Sequence, residues 1–273
     1  MSTIFSWKPE EFDDLLASCD VDPLLPFMEK HFAPGDKILE AGCGAARFVK
    51  YLDERGRFVC GLEYEPETLR QVGKKWPKLK LVAGDVQRMP FPDNCFRGMI
   101  SVGVVEHFQE GPLGPLKDML RTLEPGGVAL ITVPCLNHWR RLKGPFCGIS
   151  HFLRVNSLIR RLMGRKPLPE TGWNLRPGKH RWHVYPEWGG FFEYRFTPAQ
   201  FLGFIREAGY EVVESRPIHQ VDGLYHEFGR LFVRFHRWRF KMYPHGKALN
   251  WLLSRIPFFH NHMHLCVARK PVS

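Results

Sequence analysis

The sequence has no long hydrophobic run. Its most apolar stretches, such as Val128 to Pro134, are strand-length, well short of the roughly 20 residues a membrane-crossing helix needs. The opening MSTIFSWKPEEFDDLL shows no basic patch followed by an apolar run, so a secretion signal is not expected and a cytoplasmic chain is. The seven cysteines, Cys19, Cys43, Cys60, Cys95, Cys135, Cys147 and Cys266, contain no CxxC pair and no even framework. That pattern excludes a disulfide scaffold and a zinc ribbon, and it fits reduced, buried thiols. Repeats and low-complexity tracts are absent too. With 44% hydrophobic and 25% charged residues in 273, the chain can bury one sizeable core and disorder is not its main state.

Acid is missing from two long stretches, residues 137–166 and 228–256. Residues 1–135 hold 16 Lys/Arg against 20 Asp/Glu, whereas the remainder holds 23 against 8, so the net charge of +11 resides in the second half. Such asymmetry speaks of partners rather than fold, and here of something anionic.

Between Lys37 and Leu136 short β-rich runs alternate with helical stretches. The runs are Lys37–Ala41, Phe58–Glu63, Leu79–Val82, Gly98–Val102 and Val128–Val133, with helical segments at Ala45–Asp53, Pro66–Lys75 and Leu113–Leu123. This spacing predicts an α/β fold, a parallel sheet with helices on both faces. After Pro134 the alternation stops until Thr197–Ala208, a helix with a Thr N-cap and Pro198 in first position. Strands follow at Glu211–Ser215 and His262–Ala268. The chain thus reads as one domain over 1–273. Its parts are a core at 30–136, a first insert or lid at 137–196, a helix and strand at 197–217, a second basic-aromatic insert at 218–260 and a closing strand at 261–273.

The chemistry concentrates in Lys37-Ile-Leu-Glu40-Ala-Gly42-Cys-Gly44-Ala-Ala46, an apolar strand entering a glycine-rich turn that opens a helix. Gly42 and Gly44 let a ligand lie against the main chain, and the helix start offers free N–H groups. Alone, the turn also fits a dinucleotide site or a plain tight turn. Glu63, followed by Tyr64, ends the second strand 19 residues after Gly44, where a ribose diol needs a bidentate acceptor. Gly84-Asp85-Val86 ends the third strand with an acid placed to accept from an adenine amino group. FRGMISVGVVEH forms the fourth strand and its exit, and Leu123-Glu-Pro-Gly-Gly127 turns into the fifth.

In this order and spacing the motifs resemble the class I S-adenosylmethionine-dependent methyltransferase superfamily, particularly its small-molecule branch with the ubiquinone-biosynthesis O-methyltransferases. The resemblance covers residues 30–135 and, more faintly, 197–217 and 262–269. It implies a Rossmann-like seven-stranded sheet with the last strand antiparallel, carrying here two basic-aromatic insertions. It also implies S-adenosyl-L-methionine as cofactor, bound at the carboxyl ends of the first four strands. By that resemblance Glu40, Gly42 and Gly44 hold the methionine part, Glu63 the ribose hydroxyls with Tyr64 beside it, and Asp85 and Val86 the adenine. The backbone near Ser101 and Val102 meets the methionine amine. Two positions depart from the pattern: Ala46 stands for the third glycine, and Arg97 for the acid that often opens the fourth strand.

A sulfonium methyl is already electrophilic, so alignment and exclusion of water are the main tasks. An oxygen acceptor of high pKa also needs a base, and His107, just past the fourth strand, is the catalytic candidate. Its alternative is a capping or packing role beside Glu106. His183, Tyr185, Glu193 and Tyr194 are lid candidates, unless they merely cover core. His260, His262 and His264 alternate as on one strand face, but no acidic or Cys partner adjoins them in sequence, and no metal is expected.

In the first insert Arg140, Arg141, Lys143, Arg154, Arg160, Arg161, Arg165 and Lys166 interleave with Trp139, Phe146, Phe152, Leu158 and Leu162. In the second, Leu231, Phe235, Trp238 and Met242 recur at helical spacing, with Arg230, Arg234, Arg237 and Lys241 one position earlier. This predicts a helix with adjoining apolar and basic stripes. Such a helix suits an anionic membrane surface or nucleic-acid phosphates, or it packs on the sheet and leaves its basic face solvated. The expectation is methyl transfer to a small or lipid-linked acceptor, with peripheral contact at the inner face of a membrane. RNA methylation is the weaker reading, since SVGV replaces an NPPY-like tetrapeptide after the fourth strand. A non-catalytic scaffold on the same fold is the third.

Overall fold

The computed structural model describes residues 7–143, 156–164, 181–185 and 190–272. In chain order the strands are β1 (Lys37–Ala41), β2 (Phe58–Glu63), β3 (Lys80–Ala83), β4 (Phe96–Val102), β5 (Leu123–Pro134), β6 (Arg181–Tyr185), β7 (Gly190–Arg195), β8 (Glu211–Ile218), β9 (Val233–His236), β10 (Arg239–Met242) and β11 (Met263–Arg269). Seven of them form one sheet in the order β3–β2–β1–β4–β5–β11–β8. The first five run parallel, and β11 is antiparallel to both neighbours, β5 and β8.

Each central strand sends alternate side chains to two separate cores, as the period of 2 requires. Ile38, Ile100, Leu130 and Leu265 join one core, while Leu39, Met99, Ile131 and Cys266 join the other. The first core is closed by helices α1 (Phe12–Ser18), α2 (Leu25–His31), α3 (Arg47–Asp53) and α4 (Pro66–Lys75), which contribute Phe12, Met28, Phe48 and Val72. The second is closed by α5 (Leu113–Thr122) and, after the short helices α6 (His138–Leu142) and α7 (Ser157–Leu162), by α8 (Pro198–Glu207). Burial on both faces is why these strands read as unbroken apolar runs. Thr197 caps α8 in a full capping box with Gln200, and Pro198 occupies its first turn.

β4 starts at Phe96 rather than Gly98, and β5 at Leu123 rather than Val128. Leu123 pairs with Phe96, and the register then slips before Gly98 meets Val128. The Glu-Pro-Gly-Gly stretch is therefore a bulge within the strand rather than a turn before it. Arg97 lies at the exposed start of β4, where its guanidinium donates to the Pro125 carbonyl at 3.2 Å.

The second insert corrects the helix expected across Arg230–Met242. The insert consists of α9 (Gln220–Phe228), an antiparallel hairpin of β9 and β10, and α10 (Pro244–Leu253). Arg237 and Trp238 form the two-residue turn, both at positive φ (50° and 57°), the geometry that right-twisted hairpins demand. Leu231 in a 3-10 turn, Phe235 and Met242 in the two strands and Trp238 in the turn between them fall at 231, 235, 238 and 242, which imitates helical spacing. Phe235 pairs with Phe240 and Arg234 with Lys241, so within the hairpin Phe235 and Met242 share one face and Arg234 and Lys241 the other. Phe146, Phe152, Arg154, Arg165 and Lys166 of the first insert lie outside the described residues. No helix among the described residues is long and apolar enough to cross a membrane.

α9 is pressed against the chain leading into β11, and a Cβ on its Gly223 would collide with the backbone carbonyl of His260. Backbone cannot yield as a side chain does. Gly223→Ala should therefore cost about 3 kcal/mol or more, read as a lowered midpoint in denaturant unfolding. A midpoint equal to the parent's would show that this contact is looser than described.

Candidate functional site

The carboxyl ends of β1, β2 and β4, with the turn after β3, converge on one edge of the sheet. Gly42 (φ +79°) and Gly44 (φ +51°) shape the turn after β1. A Cβ on Gly42 would meet Val104 Cγ2 at 2.6 Å, and one on Gly44 would meet the indole nitrogen of Trp7 at 2.7 Å. Larger residues are excluded twice, by conformation and by space. Ala46 takes the left-handed conformation (φ 55°) as the N-cap of α3, so it does what the missing glycine would, with some strain.

Glu63 ties this turn to the second strand. One carboxylate oxygen accepts from Gly44 N at 2.7 Å, and the other from Tyr64 N at 2.9 Å and Glu65 N at 3.0 Å. Asp85 similarly caps its own turn, accepting from Gln87 N at 2.9 Å. A cavity of about 130 Å³ lies between these groups, and its walls include Gly42, Gly44, Glu63, Tyr64, Asp85 and Val86. Val102 and His107 complete the expected residues on this wall, and Trp7, Gly103, Val104 and Phe108 join them without having been singled out in the sequence. Ser101 lines neither this cavity nor its neighbour; its hydroxyl is buried without a hydrogen-bond partner.

A second cavity, of about 850 Å³, shares Trp7, Gly42, Gly44 and Val102 with the first. Glu40 faces this one. Its carboxylate accepts from Val49 N at 3.0 Å, and burial pushes its pKa up to about 8 against the opposing pull of Arg47. Across the cavity stand aromatic side chains of the second insert, Tyr225, Phe235, Trp238 and Phe240, with Asp222 and His226 of α9 and His262.

His107 is nearly buried. Its Nδ1 donates to the Phe192 carbonyl at 2.8 Å, which leaves the lone pair on Nε2, 3.8 Å from Glu106. Burial drives the Glu106 carboxyl well above its usual range and the His107 imidazole below its own, so both favour their neutral forms. Of the lid candidates, Glu193 is buried and ion-paired to Arg195 at 2.9 Å, and Tyr194 donates to the Gln109 carbonyl at 2.7 Å. Neither lines either of these two cavities. The side chains of His183 and Tyr185 lie outside the described residues.

The three alternating histidines do not converge. His260 is held to Asn250 at 2.9 Å, and His264 to Ser215 at 2.7 Å among Phe201 and Phe258. His262 alone reaches the cavity. Asp222, His226 and His262 come within ligating distance of one another, as do Glu106, His107 and Glu193. Arg140 Nη2 stands 2.9 Å from His262 Nδ1. A guanidinium can only donate, so this bond takes the ring's lone pair and puts its proton on Nε2. In this arrangement Nε2 of His262 carries a proton rather than a lone pair. Sequence spacing could not reveal this group, because its members are brought together by α9 crossing the start of β11.

Residues 39–131 match the family described as a methyltransferase domain. A probable S-adenosylmethionine-dependent methyltransferase of Mycolicibacterium smegmatis is 30% identical over 38% of this chain and 40% of its own length. A malonyl-[acyl-carrier protein] O-methyltransferase of Serratia marcescens is 31% identical over 46% of this chain and 49% of its own. The matched region thus spans under half the length of either relative. Among solved structures, an S-adenosylmethionine-dependent methyltransferase from Methanosarcina mazei covers 92% of this chain and 99% of its own, with a TM-score of 0.58 at 15% identity, which establishes the shared fold.

The buried Glu40 carboxyl makes stability depend on pH. Its folded-state pKa of about 8 lies above the unfolded value of roughly 4.3, so the folded state holds a proton that the unfolded state has lost. Stability contributed by this group is complete below the lower value and declines until the higher is passed. Urea unfolding of Glu40→Gln should show a flatter pH dependence than the parent between about pH 5 and pH 8. Parallel curves would mean Glu40 ionises normally.

Proposed function

From a chain that belongs to the class I S-adenosylmethionine-dependent methyltransferase superfamily, we propose an enzyme that methylates a small or lipid-linked acceptor held beneath its second insert. The observation that carries this reading is the pair of cavities that share Gly42, Gly44, Val102 and Trp7 in their walls. One is small, with Glu63 and Asp85 in its wall, and the other is larger, with Tyr225, Phe235, Trp238 and Phe240 in its wall. S-adenosylmethionine supplies an electrophilic methyl group on a positively charged sulfur.

The chain's own groups bind and orient. Glu63, with Tyr64 beside it, is assigned to the ribose hydroxyls, and Asp85 and Val86 to the adenine. Gly42 and Gly44 are assigned to the methionine part, with Glu40 and the backbone at Ser101 and Val102. These residues fit the group: the turn has no space for a Cβ, and the Glu63 carboxylate is already held in place by three N–H donors. His107 has the tautomer of a base, but it stands in the wall of the smaller cavity, on the side of Glu63 and Asp85. Aromatic walls around the larger cavity displace water from the acceptor, which strengthens every charge interaction inside it.

Peripheral membrane contact is the finer part of the proposal. Leu231, Tyr243, Trp251, Leu252 and Ile256 of the second insert are exposed. Arg230 and Lys247 are exposed among them, and the Arg255 guanidinium lies 3.6 Å over the Trp251 ring. Apolar side chains ringed by cations suit an anionic lipid surface.

Two measurements test this. Glu63→Ala should weaken binding of S-adenosylmethionine, measured by calorimetry, by about 10- to 100-fold, the value of a charge-assisted hydrogen-bond pair. Equal affinity would place the ribose elsewhere. The parent protein should sediment with vesicles containing acidic lipid, and Arg230→Glu with Arg255→Glu should cut that binding more than about tenfold. Excess RNA should not strip the parent from the vesicles. RNA binding lost with the same two reversals, and no sedimentation, would favour a nucleic-acid partner.

A further inference from the structure

Outside the residues matched to the methyltransferase domain, one group of side chains faces the larger cavity with the makings of proton chemistry. His226 lies one helical turn after Asp222 on α9, with its Nε2 3.0 Å from Asp222 Oδ1. The approach is close but off the line of a straight hydrogen bond, and Asp222 Oδ1 is otherwise without a partner. Catalytic hydrogen bonds are commonly misaligned until substrate binds. His226 also stacks on His262, ring centroids 4.4 Å apart and 19° from parallel, so its plane is fixed. Burial pushes the Asp222 carboxyl up, but its bond to His226 and the surrounding histidines outweigh burial and hold it below its usual range. An ionised Asp222 keeps the His226 proton on Nε2 and leaves the lone pair on Nδ1.

We infer that His226, oriented by Asp222, is the proton acceptor for methyl transfer to an aromatic hydroxyl lodged in the larger cavity. The inference rests on the methyl-transfer reading above and gives its acceptor a chemical class. Tyr225, Phe235, Trp238 and Phe240 supply flat apolar walls that suit a ring, and a phenol's oxygen needs its proton removed to become a good nucleophile. The hydroxyl proton passes to His226 Nδ1 while its oxygen takes the methyl carbon. The carbon–sulfur electron pair stays on sulfur, and the positive charge ends on the imidazolium beside Asp222. His262 cannot take this role, since Arg140 occupies its lone pair.

Other charged groups face the same space. Asp22 and Arg47 pair at 2.9 Å across the cavity, and His219 Nε2 lies 3.8 Å from Asp22. Arg239 lines the cavity from β10 and Glu40 from β1, while Glu227 of α9, outside the lining, is taken up by Arg140 and Lys143. None of these offers an imidazole lone pair backed by its own carboxylate in contact.

The test reads ionisation directly and needs no turnover. Para-nitrophenol, whose ionised form absorbs visible light, is titrated into the protein saturated with S-adenosylhomocysteine, at a pH where the free probe is mostly neutral. The parent should bind it as the phenolate. His226→Gln, whose side chain is half-exposed and outside the core, should bind the probe at least tenfold less ionised, with S-adenosylhomocysteine affinity unchanged by calorimetry. His107→Gln should leave the bound spectrum as in the parent. A neutral bound probe in the parent, or ionisation lost in His107→Gln and kept in His226→Gln, would overturn the assignment. Failure of the probe to bind would remove the aromatic acceptor, and tight binding of Zn²⁺ abolished by His226→Gln would replace the base with a metal site. Failure of S-adenosylhomocysteine to bind the parent would strike the methyl-transfer reading itself, a different result from any of these.

Discussion

A single buried guanidinium joins the inserts to the sheet. Arg140 is almost wholly enclosed, and it reaches Glu227 at 2.6 Å, the Cys135 carbonyl at 2.8 Å and His262 Nδ1 at 2.9 Å. These partners belong to the end of β5, to α9 and to the approach to β11, so one side chain ties three segments distant in sequence. A charge so buried is tolerated only when paired and fully hydrogen-bonded, and each of its bonds therefore constrains an element. Burial lowers its proton affinity, yet Glu227 opposes that loss. The separate bond from Arg140 to His262 Nδ1 selects the tautomer of that ring.

Glu63 plays the corresponding part on the sheet side. Its carboxylate organises the glycine turn and the start of the segment after β2 through three backbone N–H donors. The two devices differ in exposure: Arg140 is sealed in the interior, while Glu63 stands at the cavity wall. One fixes the junction of the inserts with the sheet, and the other fixes the glycine turn.

The sheet was legible because its strands are buried on both faces and broken by glycine and helix-opening signals; β1, β2 and α4 fall where periodicity puts them. The turn at Gly42 and Gly44 was legible because backbone geometry leaves glycine no substitute. The hairpin at Val233–Met242 was misread because apolar residues of a 3-10 turn, of both strands and of the turn between them fall at helical spacing, and Arg237-Trp238 lacks the glycine or asparagine that marks such turns. Trp7 carries no local signal at all, and its place over Gly44 is decided by tertiary packing. Asp222 and His226 are ordinary helix neighbours in sequence, given meaning only by a histidine 36 positions beyond the second of them.

Trp7 stands in the wall of both cavities and lies 5.9 Å from the hairpin's Trp238, centroid to centroid. A ligand that displaces the indole on one side reshapes the surface offered on the other. By thermodynamic linkage any such influence acts equally in both directions. Two ligands that both touched this ring would each alter the other's affinity by the same factor, through Trp7 rather than through direct contact.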